Sequence, residues 1–198
     1  FEDLGESGET AEIDDQTVAA SALNDLNDLT LGTVDASSVT TLTGNAVVVN
    51  ETYTDAGNSE ISGLGNENVT IDDSSLDASV LKTLDENTGG TVSAVSITAI
   101  SGTAENMAAV YGSSGISGLG DENSITVTDS GASAAAADLN TIVTKINAVD
   151  GSKTLVVDTN ITTITGSAED VKAAYTSSTA SDISGLGNEA VTITGSSA

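Results

Sequence analysis

ISGLGNEN (Ile61–Asn68), ISGLGDEN (Ile116–Asn123) and ISGLGNEA (Ile183–Ala190) are three versions of one octet. Each runs straight into a β-branched stretch: VTID from Val69, SITVTD from Ser124 and VTIT from Val191. Self-similarity of this kind marks a repeat architecture before any single element is assigned. A second signature alternates with the first: VTTLTG (Val39–Gly44), ITAISG (Ile97–Gly102) and ITTITG (Ile161–Gly166). The last apolar residues of the runs are Ile13, Leu42, Ile71, Ile100, Val127, Ile164 and Ile193, with gaps of 29, 29, 29, 27, 37 and 29 residues. Both signatures therefore fit one register, with coils starting near residues 11, 39, 69, 97, 125, 161 and 191. Because the signatures alternate, the sequence unit is a pair of coils, and the long gap holds an insertion.

Each coil reads as strand, helix, strand. The first strand is a short run of alternating β-branched residues. The helix opens on a residue that caps orphan amides, as in the segments Thr103–Tyr111, Ser167–Tyr175 and Asn45–Tyr53. In the other coil type the helices read Ala19–Leu26, Ala78–Leu84 and Ala134–Val149, and the length of the last accounts for the insertion. The second strands are Thr33–Ala36, Thr91–Ala94, Leu155–Asp158 and the ISGL segments. Gly63, Gly65, Gly118, Gly120, Gly185 and Gly187 suit the tight corners that follow, since glycine takes positive φ without strain. A coil of this length cannot close a core alone, but stacked coils bury their apolar residues against one another. The expected fold is α/β: a repeat solenoid of strand–helix–strand coils with stacked parallel β-ladders and one helical side. Residues 1–198 form one continuous solenoid in this reading. Leu4-Gly-Glu resembles the tail of an ISGLGNE corner, the chain opens on Phe1, and no capping repeat is visible, so a fragment of a longer array is expected.

Composition narrows the function. Thirty acidic residues face four basic ones, for a formal charge of −26. Such a chain repels nucleic-acid phosphates and anionic membrane surfaces. No apolar run reaches the ~20 residues that span a bilayer. The sequence has no cysteine, histidine, proline or tryptophan. That removes thiol and imidazole chemistry, most acid–base pairs and disulfide staples. Two carboxylates remain able to hydrolyse glycosides, but the acidic residues recur with the repeat instead of marking one place. No enzyme is expected.

Four coils carry Thr-x-Thr on the expected outer face: Thr41 and Thr43, Thr126 and Thr128, Thr163 and Thr165, Thr192 and Thr194. A flat ladder of such pairs resembles the ice-binding face of some β-solenoid antifreeze proteins. Threonine is also simply a good residue for an exposed strand. Asp15, Asp73 and Asp129 recur in alternate coils. They are candidate Ca²⁺ ligands with neighbouring carbonyls, or caps of the helix that follows. Asn66-Glu67, Asp121-Glu122 and Asn188-Glu189 sit at corners, as weaker calcium candidates or as solvated turns. Tyr53, Tyr111 and Tyr175 share one repeat position, either as a carbohydrate-stacking stripe or as anchors of a helix against the neighbouring coil.

The pattern VDASSVTTLTG, ISGLGNENVTIDDSS, LDASVLKTLDENTGGTVSA and AADLNTI resembles repeats of very large acidic secreted or surface proteins of marine cyanobacteria, and of virion-associated proteins of their phages. The resemblance covers nearly the whole chain. It implies a structural or adhesive role outside the cell or on a virion, with neighbouring repeats or copies of the same protein, surface polysaccharide or a host surface as partners. It assigns no site residue. Leucine-rich repeats have a similar length, but their asparagine-containing consensus is absent.

Overall fold

The computed structural model describes residues 8–129 and 131–195, so the Leu4-Gly-Glu stretch lies outside the described residues. The first repeat contributes β1 (Ala11–Glu12), β2 (Thr17–Ala19), α1 (Ala20–Leu29), β3 (Val34–Asp35), β4 (Thr41–Gly44), α2 (Ala46–Gly57) and β5 (Ile61–Ser62). The second contributes β6 (Asn68–Ile71), β7 (Ser75–Asp77), α3 (Ala78–Asn87), β8 (Val92–Ser93), β9 (Ala99–Gly102), α4 (Ala104–Gly112) and β10 (Ile116–Ser117). The third contributes β11 (Ser124–Val127), β12 (Ser133–Ala135), α5 (Ala136–Asp150), β13 (Leu155–Val157), β14 (Thr163–Gly166), α6 (Ala168–Thr179) and β15 (Ile183–Ser184). A fourth opens with β16 (Ala190–Ile193). The strands thus fall into three kinds. Link strands begin a repeat (β1, β6, β11, β16), leading strands enter a helix (β2, β4, β7, β9, β12, β14), and trailing strands leave one.

The chain divides into two compact units. The first comprises residues up to 73 with 83–96 and 115–117. It holds a three-stranded sheet, β1-β3-β5, and a five-stranded sheet, β2-β4-β6-β8-β10. The second comprises 74–82, 97–114 and the residues from 118 onward. It holds a five-stranded sheet, β7-β9-β11-β13-β15, and a three-stranded sheet, β12-β14-β16. Among the described residues every pairing is parallel and no sheet closes into a barrel. Parallel strands require crossovers, and the helices supply them.

The five-stranded sheets share one plan. Two leading strands of one repeat lie on one side, a link strand lies in the middle, and two trailing strands of the next repeat lie on the other. The sequence reading placed link and leading strands in one column, and the structure corrects this. Strand 41–44 does pair with 68–71, but the next neighbour of 68–71 is the trailing strand 92–93, and 99–102 pairs with β7 and β11 instead. The register also slips by two: Leu42 faces Val69, and Ile71 faces Gly44. A slip of two keeps every side chain on its own face, because the strand period is two, so the apolar pattern alone does not expose it.

Aliphatic rows fill the interior. In the second unit Leu76, Ile100, Ile125, Leu155 and Ile183 occupy one cross-strand row, all buried. In the first unit Leu42, Val69, Val92 and Ile116 do the same. Rows of this kind need only small and medium side chains, which suits a chain with 2% aromatic residues. All six helices overlap the segments predicted for them. Asn45, Thr103 and Ser167 cap α2, α4 and α6 through their side chains, each worth about 1 kcal/mol. The corner glycines have positive φ. Gly63 shows why: at φ +86° a Cβ would lie 2.6 Å from the Ser37 backbone of the coil before.

Candidate functional site

Each ISGLG corner turns a glutamate inward. Glu67 and Glu122 are only 4% and 2% exposed, and Glu189 is half-buried. This corrects the reading of these corners as solvated turns. The geometry of the corner explains the burial. Two residues after the second glycine, the side chain folds back so that its carboxylate accepts the N–H of that glycine: Gly65 N at 2.8 Å, Gly120 N at 3.0 Å and Gly187 N at 2.7 Å. The remaining partner comes from the helix before the corner. Tyr53 of α2, Tyr111 of α4 and Tyr175 of α6 donate their hydroxyls to Glu67, Glu122 and Glu189 at 3.2, 2.9 and 3.1 Å. Helix, corner and link strand are thereby tied once per repeat.

The electrostatics follow from that arrangement. Burial, the adjacent Glu122 charge and the bond donated to it push the Tyr111 hydroxyl far above its ordinary pKa. Burial likewise raises Tyr53, with Glu67 adding to it and a contact with Thr88 opposing it. Burial, the bond donated to Glu189 and the Glu189 charge also push the Tyr175 hydroxyl above its ordinary value. Desolvation works to raise Glu189, but the N–H groups of Gly187, Asn188 and Glu189 and the Tyr175 hydroxyl together hold it below the ordinary carboxylate range. A carboxylate tied to amides and a phenol held protonated make a lock. Each tyrosine hydroxyl is engaged by the glutamate of its corner, the arrangement expected of a helix anchor, which was one of the two sequence readings.

The aspartates singled out in the sequence behave differently from one another. Asp73 accepts the N–H of Ala46 at 2.7 Å and the Asn45 side-chain amide. It therefore caps α2, 27 residues earlier in the chain, and not the helix that follows. Asp129 accepts the N–H of Gly131 at 2.9 Å in a local turn. Asp15 is exposed. Among the described residues no three acidic side chains gather in a metal-binding group.

The threonine pairs lie on three sheets. Thr41 and Thr43 belong to β4, Thr126 to β11 with Thr128 just beyond it, Thr163 and Thr165 to β14, and Thr192 to β16 with Thr194 following. Only Thr165 and Thr192 stand side by side as cross-strand partners. Thr43 instead begins a hydroxyl row with Thr70, Ser93 and Ser117 along its own sheet. That row was hidden because it mixes leading, link and trailing strands, which carry different sequence signatures.

Among the described residues no buried side-chain nitrogen or oxygen lacks a hydrogen-bond partner, and no helix is long and apolar enough to cross a membrane. Compared with protein-family models, with curated proteins and with solved structures, the chain matches none.

Proposed function

We propose that this chain is a structural module of a large extracellular or surface-exposed array, a solenoid of strand–helix–strand coils that acts as a spacer or adhesive stalk and performs no catalysis. The observation that carries this reading is the way one repeat is built into the next. A link strand sits between leading strands of one repeat and trailing strands of the following one, so main-chain bonds in each five-stranded sheet bind two repeats together. A tyrosine–glutamate lock then fixes each corner. The tyrosine–glutamate pairs recur with the repeat, whereas catalytic sites converge on one place. The acidic exterior favours solubility at high local density, since net charge keeps such surfaces apart.

Asp73 and Asp129 serve in this reading as acceptors for backbone amides. The threonine and serine rows serve in this reading as soluble strand faces. The resemblance to repeats of secreted, surface and virion-associated proteins supports a location outside the cell. An antibody raised against the purified chain tests it: intact, unpermeabilised cells or whole virions of the source should be labelled. Labelling that appears only after permeabilisation would overturn the proposal.

A further inference from the structure

Three asparagines in the chain open the tripeptide Asn-x-Ser/Thr: Asn50-Glu-Thr52, Asn68-Val-Thr70 and Asn160-Ile-Thr162. This is the acceptor pattern for an N-linked oligosaccharide, and it calls for a surface loop. The fold treats the three differently. Asn50 lies inside α2, where its side chain accepts from the Asn87 amide at 3.0 Å, and Thr52 is fully buried. Asn68 is exposed but lies on β6, which is paired on one side with β4 and on the other with β8. Its side-chain oxygen accepts the Thr91 N–H at 3.0 Å, which ties the amide to the next strand. A transferase bends its acceptor segment around the reacting amide, and neither a helix interior nor a strand paired on both sides bends in this way.

Asn160 stands on a turn. The turn follows β13 and is closed by the Ile161 N–H on the Asp158 carbonyl at 3.0 Å. The Asp158 side chain also accepts the Asn160 N–H at 2.8 Å. The backbone is thus already bent, while the Asn160 side chain is exposed and makes no hydrogen bond to a described residue. In the first repeat the same turn, closed by the Val39 N–H on the Ala36 carbonyl, carries Ser38 at this place. The turn itself therefore does not require an amide. Thr162 is exposed as well, and its hydroxyl is held only by a 3.3 Å bond to the Ala132 carbonyl, longer than a good O–H···O bond. Beside the turn, Thr128, Asp129, Ala132, Asp158 and Asn160 line an open cleft of about 480 Å³. Its hydroxyl and carboxylates suit the hydroxyl groups of a sugar laid against them.

From this geometry we infer that Asn160 is the N-glycosylation acceptor of this chain. The co-reactant is an oligosaccharide carried on a lipid diphosphate. The new bond joins Asn160 Nδ2 to the anomeric carbon of the first sugar. The bond from that carbon to the diphosphate oxygen breaks, the electron pair leaves with the diphosphate, and one amide proton passes to a base of the transferase. The Thr162 hydroxyl is the group the transferase reads beside the amide. The inference rests on the reading that the chain works outside the cell, since such transfer acts on exported chains.

Mass spectrometry of the chain isolated from its source tests it. Trypsin cuts after Lys153 and Lys172 and releases residues 154–172, in which Asn160 is the one asparagine. That peptide should be heavier by a whole oligosaccharide, and fragmentation that keeps the sugar attached should place it on Asn160. A bare peptide, a sugar on one of its threonines, or a sugar on Asn50 or Asn68 instead would overturn the inference. Antibody labelling of intact cells or virions decides the location separately, so a surface-labelled chain with a bare Asn160 defeats this inference and leaves the location standing. A second arm is independent of the native location. In a bacterial host that exports the chain and carries an oligosaccharide transferase, the wild type and Asn68→Gln should gain the sugar. Asn160→Gln and Thr162→Ala should lose it, and Thr162→Ser should keep it. Circular dichroism of each variant should match the wild type, since both positions are exposed. An exported wild type that stays bare, or a sugar that persists in Asn160→Gln, would likewise overturn it.

Discussion

Tyr111 with Glu122 and Tyr175 with Glu189 make the same lock with nearly the same lengths, 2.9 and 3.1 Å. Their surroundings differ. α5 and β13 cover the first, which leaves Tyr111 and Glu122 each 2% exposed, while the second stands half open. A hydrogen bond to a charged group is electrostatically stronger where water is excluded, and leaving its partner alone there costs more. The comparison teaches that the lock takes its strength from the coil laid over it, so identical motifs in one chain have unequal worth.

The largest contrast should come from deleting the carboxylates. Glu122→Ala leaves the Tyr111 hydroxyl and the Gly120 amide without their acceptor in a closed site. It should cost about 3 kcal/mol. Glu189→Ala, where water reaches the same groups, should cost under about 1 kcal/mol. Urea unfolding followed by circular dichroism measures both. Equal midpoints for the two variants would remove cover as the deciding factor.

The corner glycines sharpen the same contrast by a steric route. Gly120 sits at φ +111°, and an added Cβ would lie 2.8 Å from a Val149 methyl. Gly120→Ala should destabilise by about 2 to 3 kcal/mol, combining backbone strain with overpacking. Gly187, at φ +149°, has open space around it. Gly187→Ala should cost only the backbone part, about 1 kcal/mol. Smaller again is the loss of one hydroxyl. Tyr111→Phe should lower stability by about 1.5 kcal/mol and Tyr175→Phe by no more than about 0.5 kcal/mol. A double-mutant cycle of Tyr111→Phe with Glu122→Gln should show coupling that Tyr175→Phe with Glu189→Gln lacks.

Much of this fold could be read from the residues. The six helices and the trailing strands announce themselves through capping residues, alanine runs and alternating Val, Ile, Thr and Ser. The strands β2, β7 and β12 did not. Thr17-Val-Ala19, Ser75-Leu-Asp77 and Ser133-Ala-Ala135 are three residues each, too short to show alternation, and their alanines merge into the helices that follow. Missing them collapsed two strand columns into one and displaced Asp73 from the helix it caps. The lock was half legible. Tyrosine and glutamate each recur at one repeat position, but nothing local says that a glutamate flanked by Asn or Asp in a glycine-rich corner turns inward. That follows only once the corner folds back on its own amide and the helix brings the phenol above it. Matching the spacing of the two signatures, 14 residues from Tyr53 to Glu67 and from Tyr175 to Glu189 but 11 from Tyr111 to Glu122, was the available signal.

The gentlest probe of the comparison is pH. The three tyrosines are the only ones in the chain, and there is no tryptophan to mask them. All three have folded pKa values above the ordinary 10.0, with burial the leading cause. A raised folded value means that the unfolded chain ionises first as pH climbs. The stability tied to each phenol is therefore whole below pH 10.0 and is lost as pH rises toward the folded value. Tyr175, least covered, should ionise while the protein is still folded, giving a reversible first step in phenolate absorbance that Tyr175→Phe abolishes. Tyr53 and Tyr111 should ionise only together with the loss of the circular-dichroism signal. On the acid side the sign reverses for Glu189, whose folded value is lowered: its contribution is present above the ordinary 4.5 and disappears as pH falls through the folded value. Glu189→Gln should therefore narrow the gap to wild type below pH 4.5 and leave the alkaline steps of Tyr53 and Tyr111 in place. If all three tyrosines ionised in one step, the half-open lock would be as closed as the covered one, and the difference drawn between the two coils would fail.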